Sequence, residues 1–155
     1  MATILDGKAL AKKVKGELKV EVTRLVELGV RPGLAVVLVG DDPASAVYVR
    51  NKARACKRVG VTAFDHKLPA ETPEAELLDL VARLNADPAV HGILVQLPLP
   101  PHINEEKVIG AIHPDKDADG FHPVNLGRLL SGADATVACT PLGIMRLIQE
   151  SGATL

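Results

Sequence analysis

The sequence predicts an α/β fold, a three-layer sandwich with a mainly parallel sheet and helices on both faces. Three observations carry that expectation. Residues 34–39, Leu-Ala-Val-Val-Leu-Val, form a continuous apolar run rich in β-branched side chains. Such a run reads as a strand buried on both faces, hence parallel. From there strand and helix patterns alternate along the chain. Most of the helical segments are also punctuated, by Gly after the last turn or by Thr-Pro before the first.

In order, residues 7–28 read as an amphipathic helix. Leu10, Val14, Leu18, Val22 and Leu25 recur every three to four residues with Lys and Glu between them. Gly29 stops it, and Pro32-Gly33 extends the break. After the first strand, Gly40-Asp-Asp-Pro43 is a turn, and a helix runs from about Ser45 to Val59. Gly60 ends it. Residues 61–68 form a second, more polar strand. Thr72-Pro73 opens the next helix, with a capping hydroxyl and Pro at its first position. Its apolar stripe is Leu77, Leu78, Val81 and Leu84, and Asp87-Pro88 ends it. Residues 90–97 form a third strand, which Pro98-Leu-Pro-Pro101 cannot continue. Asn104 caps a short helix through Ile112. A polar loop follows over 113–121, then a short helix over 126–130. Thr140-Pro141 repeats the cap-plus-Pro signal for a helix to Gln149, and Ser151-Gly152 ends it.

The chain has 155 residues, enough for one domain with a real core. It is 47% hydrophobic with net charge −1, and its basic and acidic residues are interspersed. No electrostatic footprint for nucleic acid or an anionic membrane is present. No apolar run approaches a membrane span, and the N-terminus lacks a secretory pattern, so the cytoplasm is the expected location. Cys56 and Cys139 are isolated and form no CxxC. Cys56 reads as a small packing residue.

Three distant segments read together as one site: Tyr48-Val-Arg-Asn-Lys52, Gln96-Leu-Pro-Leu-Pro100 and Lys116-Asp-Ala-Asp-Gly120. Tyr48 and Lys52 are four apart and share a helix face. Gln96 closes an apolar strand, and Asp119 sits in a Gly-bounded loop. In open parallel sheets ligands bind beyond the carboxyl ends of strands, and both the Gly40 turn and Gln96 lie there. An aromatic ring, an amine, an amide and a carboxylate suit a flat, nitrogen-rich organic substrate. Each piece also has a plain structural reading: a surface Tyr–Lys pair, a Gln satisfying a strand end, an Asp-Gly turn.

Other chemistries find no support. There is no Gly-x-Gly-x-x-Gly, no P-loop, no His-Glu-x-x-His and no nucleophile elbow. The five histidines do not cluster at metal-ligand spacing and read mostly as surface or loop residues. Asp115-x-Asp117-x-Asp119-Gly120 matches the opening of a calcium loop, but the twelfth position is Leu126 where Glu is needed. No metal site is expected.

The wording of these segments resembles a known family, the bifunctional methylenetetrahydrofolate dehydrogenase / methenyltetrahydrofolate cyclohydrolases. The matching stretches are Ile4-Leu-Asp-Gly-Lys8, Val39-Gly-Asp-Asp-Pro-Ala-Ser45, Tyr48-Val-Arg-Asn-Lys52, Gly92-Ile-Leu-Val-Gln-Leu-Pro-Leu-Pro100, Pro114-Asp-Lys-Asp-Ala-Asp-Gly-Phe121 with Asn125, and Cys139-Thr-Pro-Leu-Gly143. They come in family order across essentially the whole chain. The resemblance implies NADP-dependent oxidation of 5,10-methylenetetrahydrofolate to the methenyl form, then hydrolysis to 10-formyltetrahydrofolate. By motif position it implies Lys52 as the catalytic lysine, Gln96 as its orienting partner and Tyr48 as the ring stacked on folate. It likewise implies Asp119 as the carboxylate reading the pterin, with Ser45 in support. These roles are chemically coherent. A lysine acts as a base only when neutral, and burial beside a cationic substrate favours that form. A neutral amide orients it without holding it protonated, and a carboxylate can accept two parallel N–H bonds from a pterin edge.

The resemblance also implies a one-carbon enzyme serving purine, histidine and methionine synthesis, and a homodimer at full length. Residues 1–139 would form the folate-binding catalytic domain, and 140–155 a linker helix opening a Rossmann-like NADP domain. That domain's Gly-Arg-Ser-x-x-Val-Gly loop would lie beyond Leu155, so no NADP-binding residue is expected in this chain. Ala138 stands where the family usually has Pro. The chain is therefore expected to be a fragment, without dehydrogenase activity by itself. Two alternatives are a folate-binding module able at most to hydrolyse, and a non-catalytic α/β interaction domain.

Overall fold

The computed structural model describes residues 4–153. The terminal residues 1–3 and 154–155, part of the N-terminal and linker readings above, lie outside the described residues. Six helices and three strands follow in the order α1 Gly7–Glu27, β1 Gly33–Val39, α2 Pro43–Val59, β2 Thr62–Leu68, α3 Glu74–Ala86, β3 Gly92–Val95, α4 Glu105–Ala111, α5 Pro123–Leu130 and α6 Cys139–Glu150. A 3-10 turn over Pro114–Lys116 lies inside the predicted polar loop.

The sheet is parallel, in the order β2-β1-β3. β1 is central and buried on both faces, as its unbroken apolar run predicts. Ala35, Val37 and Val39 join Leu77, Leu80, Val81 and Leu84 of α3 and Val108 of α4 in one core. The alternate residues Val36 and Leu38 are also buried, and α2 packs on β1 and β2. Because successive strand side chains point to opposite faces, α2 and α3 cover opposite sides of β1, which gives the three layers. At about 25 cal/mol per Å2 of apolar surface, full burial of each core Leu, Val or Ile contributes roughly 1.5–3 kcal/mol.

Several boundaries differ from the sequence reading. Thr72 does not cap α3: its hydroxyl donates to Pro69 O at 2.7 Å, and Pro73 is the N-cap without a side-chain bond. The nearby turn carbonyl took the hydroxyl that the helix amides could have used. Thr140 likewise does not cap α6, which starts at Cys139 behind Ala138. Pro141 then falls inside the first turn, where a missing N–H costs nothing. α5 begins at Pro123 rather than near 126, capped by His122, whose Nδ1 accepts Val124 N–H at 3.1 Å. β3 is four residues long, although Gln96 N–H still donates to Val37 O at 2.8 Å. Asn104 caps α4 as predicted, accepting Lys107 N–H at 3.0 Å. The stripe of α1 is buried only at Val22, because the helix packs mainly on α2; Leu18 stays exposed. Cys56 is buried and Cys139 exposed, both as free thiols. No helix among the described residues is long and apolar enough to cross a membrane.

Candidate functional site

The strand order explains why distant segments meet. After β1 the chain goes through α2 to β2 on one side, then through α3 to β3 on the other. The crevice between the carboxyl ends of β1 and β3 is therefore a topological switch point, the usual ligand position in such sheets. α2 rises from the end of β1, and Gln96 follows β3 directly.

α2 is set by Asp42, whose carboxylate accepts Ser45 N–H at 2.7 Å. That bond holds the Asp42 carboxyl below the usual carboxylate range. One face of the helix carries Ser45, Tyr48 and Lys52. Lys52 Nζ donates to Gln96 Oε1 at 3.3 Å. Gln96 Nε2 donates to Leu97 O at 2.8 Å, and Ser45 Oγ donates to the same carbonyl at 3.5 Å. Since only the amide nitrogen can donate to that carbonyl, the amide oxygen is turned to the lysine. Ser45 is buried, Lys52 and Gln96 are half-buried, and Tyr48 is 63% exposed, its ring open to a ligand.

The third segment lies along the outer edge of β3. Ile93 and Asp117 form a parallel bridge, and Ala118 N–H donates to Ile93 O at 3.2 Å. Asp119 is half-buried two residues on. Burial pushes its carboxyl above the usual range; the Lys52 charge opposes this, and the Asp117 charge adds to it. Hydrogen bonds thus join Lys52, Gln96 and Ser45 around Leu97 O, the Lys52 charge bears on Asp119, and Tyr48 stands exposed one turn before Lys52 on the same helix face.

Other residues hold the frame. Lys116 is half-buried, and its ammonium donates to Leu84 O, Asn85 O and Asp87 O at 3.2, 2.8 and 2.8 Å. It satisfies carbonyls at the end of α3 and favours the negative pole there. Asp117 and Asn125, which the residue pattern alone did not mark as special, are both buried. The calcium-like run is resolved by these partners. Both Asp117 oxygens accept N–H groups, and among the described residues no group of three acidic, His or Cys side chains could hold a metal. His122 is buried, with its ring between Val124 N–H and Gly110 O, while His91, His102 and His113 are exposed.

A groove of about 710 Å3 between α2 and β2 lies on the other face of the helix. It is lined by residues such as Val49, Ala53 and Arg54 and includes none of the five site side chains. The convergent polar groups outweigh volume in choosing between the two places.

Fold and crevice together define a class, an α/β domain with an amine–amide pair and a carboxylate at the switch point of a parallel sheet. The family model for the tetrahydrofolate dehydrogenase/cyclohydrolase catalytic domain matches residues 5–119. The chain is 58% identical over 155 residues to the bifunctional protein FolD of Geotalea daltonii, covering 100% of this chain and 55% of that protein. It superposes on the crystal structure of the bifunctional enzyme FolD from Campylobacter jejuni with TM-score 0.94 at 47% identity, covering 97% of this chain and 54% of the other. On the Trypanosoma brucei methylenetetrahydrofolate dehydrogenase-cyclohydrolase, complexed with NADP and an inhibitor, the TM-score is 0.93 at 40% identity, covering 98% and 52%. The chain belongs to the tetrahydrofolate dehydrogenase/cyclohydrolase family, as its catalytic domain. It spans about half the length of the relatives it matches.

Proposed function

We propose that this chain supplies the folate site and the catalytic lysine of a bifunctional enzyme of one-carbon metabolism. That enzyme would oxidise 5,10-methylenetetrahydrofolate with NADP and hydrolyse the methenyl product to 10-formyltetrahydrofolate. The observation that carries the reading is the chain of bonds from Lys52 through Gln96 to Leu97 O, which Ser45 Oγ joins, with the Lys52 charge acting on the Asp119 carboxyl.

In hydrolysis, the substrate is already a cation, so water activation is the main task. Lys52, in its neutral form, takes a proton from a water whose oxygen bonds to the methenyl carbon. The carbon–N5 bond then breaks, N5 keeps the remaining hydroxyl proton, and the formyl group stays on N10. Gln96 aims the amine and adds no charge. Tyr48 stacks on the folate, and Asp119 accepts two N–H bonds from the pterin edge.

The turn that opens α2 does not suit a dinucleotide phosphate. In the first strand-to-helix turn, where a phosphate would use free amides, the Asp42 carboxylate already occupies the helix N-terminus. No hydride step is assigned to a residue here, and on this reading the NADP site belongs to the part of the complete enzyme beyond this domain. Residues 1–139 as the folate domain and 140–155 as the start of a link fit the observation that α6 buries none of its residues. A cytoplasmic homodimer for the complete enzyme belongs to the same reading.

The test is hydrolysis of methenyltetrahydrofolate without NADP, followed by its absorbance. Decay faster than in buffer is expected. Decay at the buffer rate, with no binding of tetrahydrofolate by a folded chain, overturns the reading and favours a non-catalytic interaction domain.

A further inference from the structure

Two acids stand two residues apart in the same loop, and their surroundings differ. Asp119 is half-buried beside the crevice. Asp117 is only 4% exposed, and its carboxylate is saturated by donors. Oδ1 accepts Gly120 N–H at 3.0 Å. Oδ2 accepts His122 N–H at 2.9 Å and Asn125 Nδ2–H at 3.0 Å. The same Asn125 amide donates to Pro114 O at 2.8 Å, so it ties the two ends of the segment together.

These bonds enclose Asp119. On one side, Ala118 N–H is held by Ile93 O of β3. On the other, Gly120 sits at φ +71°, and a Cβ there would lie 2.8 Å from Thr136 O and 2.9 Å from Ala138 N. Residues 118–120 are therefore pressed between β3 and residues 136–138, with Asp117 bridging over them. A buried carboxylate accepting three N–H bonds is strong and directional, and it leaves that short loop few ways to move.

We propose that Asp117 is a positioning residue for folate recognition: its buried carboxylate, with Asn125, fixes the 117–122 loop so that Asp119 faces the Lys52–Gln96 pair. This rests on the reading of Asp119 as the pterin-binding carboxylate. Asp117 touches no substrate in this scheme and acts only through its neighbour. It also acts on Asp119 by charge, being one of the groups that push that carboxyl upward.

The experiment is a double-mutant cycle on tetrahydrofolate binding, measured anaerobically by calorimetry with Asp117→Asn, Asp119→Asn and the double variant. In Asp117→Asn the amide oxygen can serve only one of the two oxygen positions. The new NH2 then opposes an N–H donor, so the loop loosens without a change of volume. Losing a buried charged bond predicts affinity weaker by about tenfold for Asp117→Asn and about 10- to 100-fold for Asp119→Asn. The double variant should bind within about twofold of Asp119→Asn, because coupled residues are not additive. The pH at which affinity falls should also move down in Asp117→Asn, because the Asp117 charge is one of the groups that raise the Asp119 carboxyl.

Asn125→Ala removes only one arm of the clamp and carries the same cycle if Asp117→Asn does not fold. Additive losses, or wild-type affinity in a folded Asp117→Asn, refute the positioning role alone. Unchanged affinity in Asp119→Asn refutes the reading of Asp119 and the positioning role with it.

Discussion

Replacing Lys52 by Gln should abolish hydrolysis while leaving the fold and folate binding nearly intact. The structure separates these effects. Lys52 makes one side-chain hydrogen bond, to Gln96 at 3.3 Å, near the long end of the range. Gln96 keeps its stronger bond to Leu97 O at 2.8 Å when the lysine is gone. The net stability cost should therefore be about 0.5–1.5 kcal/mol, nearer the lower end. On the proposed roles, folate is held mainly by Tyr48 and Asp119, which remain, so affinity should change by less than about tenfold. Catalysis is different, because no other described side chain in the crevice supplies an amine. Removing a general base costs about 100- to 10,000-fold, or roughly 2.7–5.4 kcal/mol of barrier at 1.36 kcal/mol per decade. The assay is decay of methenyltetrahydrofolate absorbance without NADP, alongside thermal melting and calorimetric binding of tetrahydrofolate. A folded, folate-binding variant that hydrolyses within tenfold of the wild-type rate refutes the argument.

Four further outcomes follow from the same geometry. Asp119→Asn should weaken folate binding yet raise the melting temperature at neutral pH. Burial places this carboxyl above its usual range, so its ionised form costs stability once pH exceeds that raised value. The contribution of the protonated form is fully present below the unfolded pKa and is lost as pH rises through the folded one. Melting profiles of wild type and variant against pH should converge in acid, and parallel profiles would contradict this. In the wild type, folate affinity should fall with acidification sooner than an ordinary carboxylate requires, as titration calorimetry across pH would show. Gly120→Ala should destabilise the chain by about 2–4 kcal/mol, the left-handed backbone alone accounting for roughly 1–2. The added methyl would meet the backbone atoms Thr136 O and Ala138 N, and a denaturant midpoint equal to wild type would rule this out. Lys116→Met should cost about 1–3 kcal/mol by leaving carbonyls at the end of α3 unpaired. A matched loss in chemical denaturation checks it, and the hydrolysis rate per folded molecule should stay within a few-fold.

What the sequence by itself determined is whatever repeats locally. The run at 34–39 announced a strand buried on both faces, and it is central in the sheet. The apolar spacing of residues 77–84 announced α3, and Asn104 announced its own helix. The spacing of four positions from Tyr48 to Lys52 placed both on one face of α2. Thr72 and Thr140 misled because a hydroxyl can serve any nearby carbonyl or amide, and sequence does not say which is closer.

Only the tertiary structure decided the rest. The order β2-β1-β3 makes the ends of β1 and β3 neighbours, and that brings Gln96 to Lys52 across 44 positions of sequence. Nothing local in residues 115–120 distinguishes three acids on alternate positions. Asp117 is buried and satisfied because Gly120, His122 and Asn125 close around it. Asp119 is left half-buried at the crevice because β3 holds Ala118 beside it. Period and capping act within a few residues and can be read along the chain. Burial and partner choice depend on which distant elements the crossovers bring together, and they leave Asp119 half-buried while Asp117, two residues earlier, is enclosed by donors.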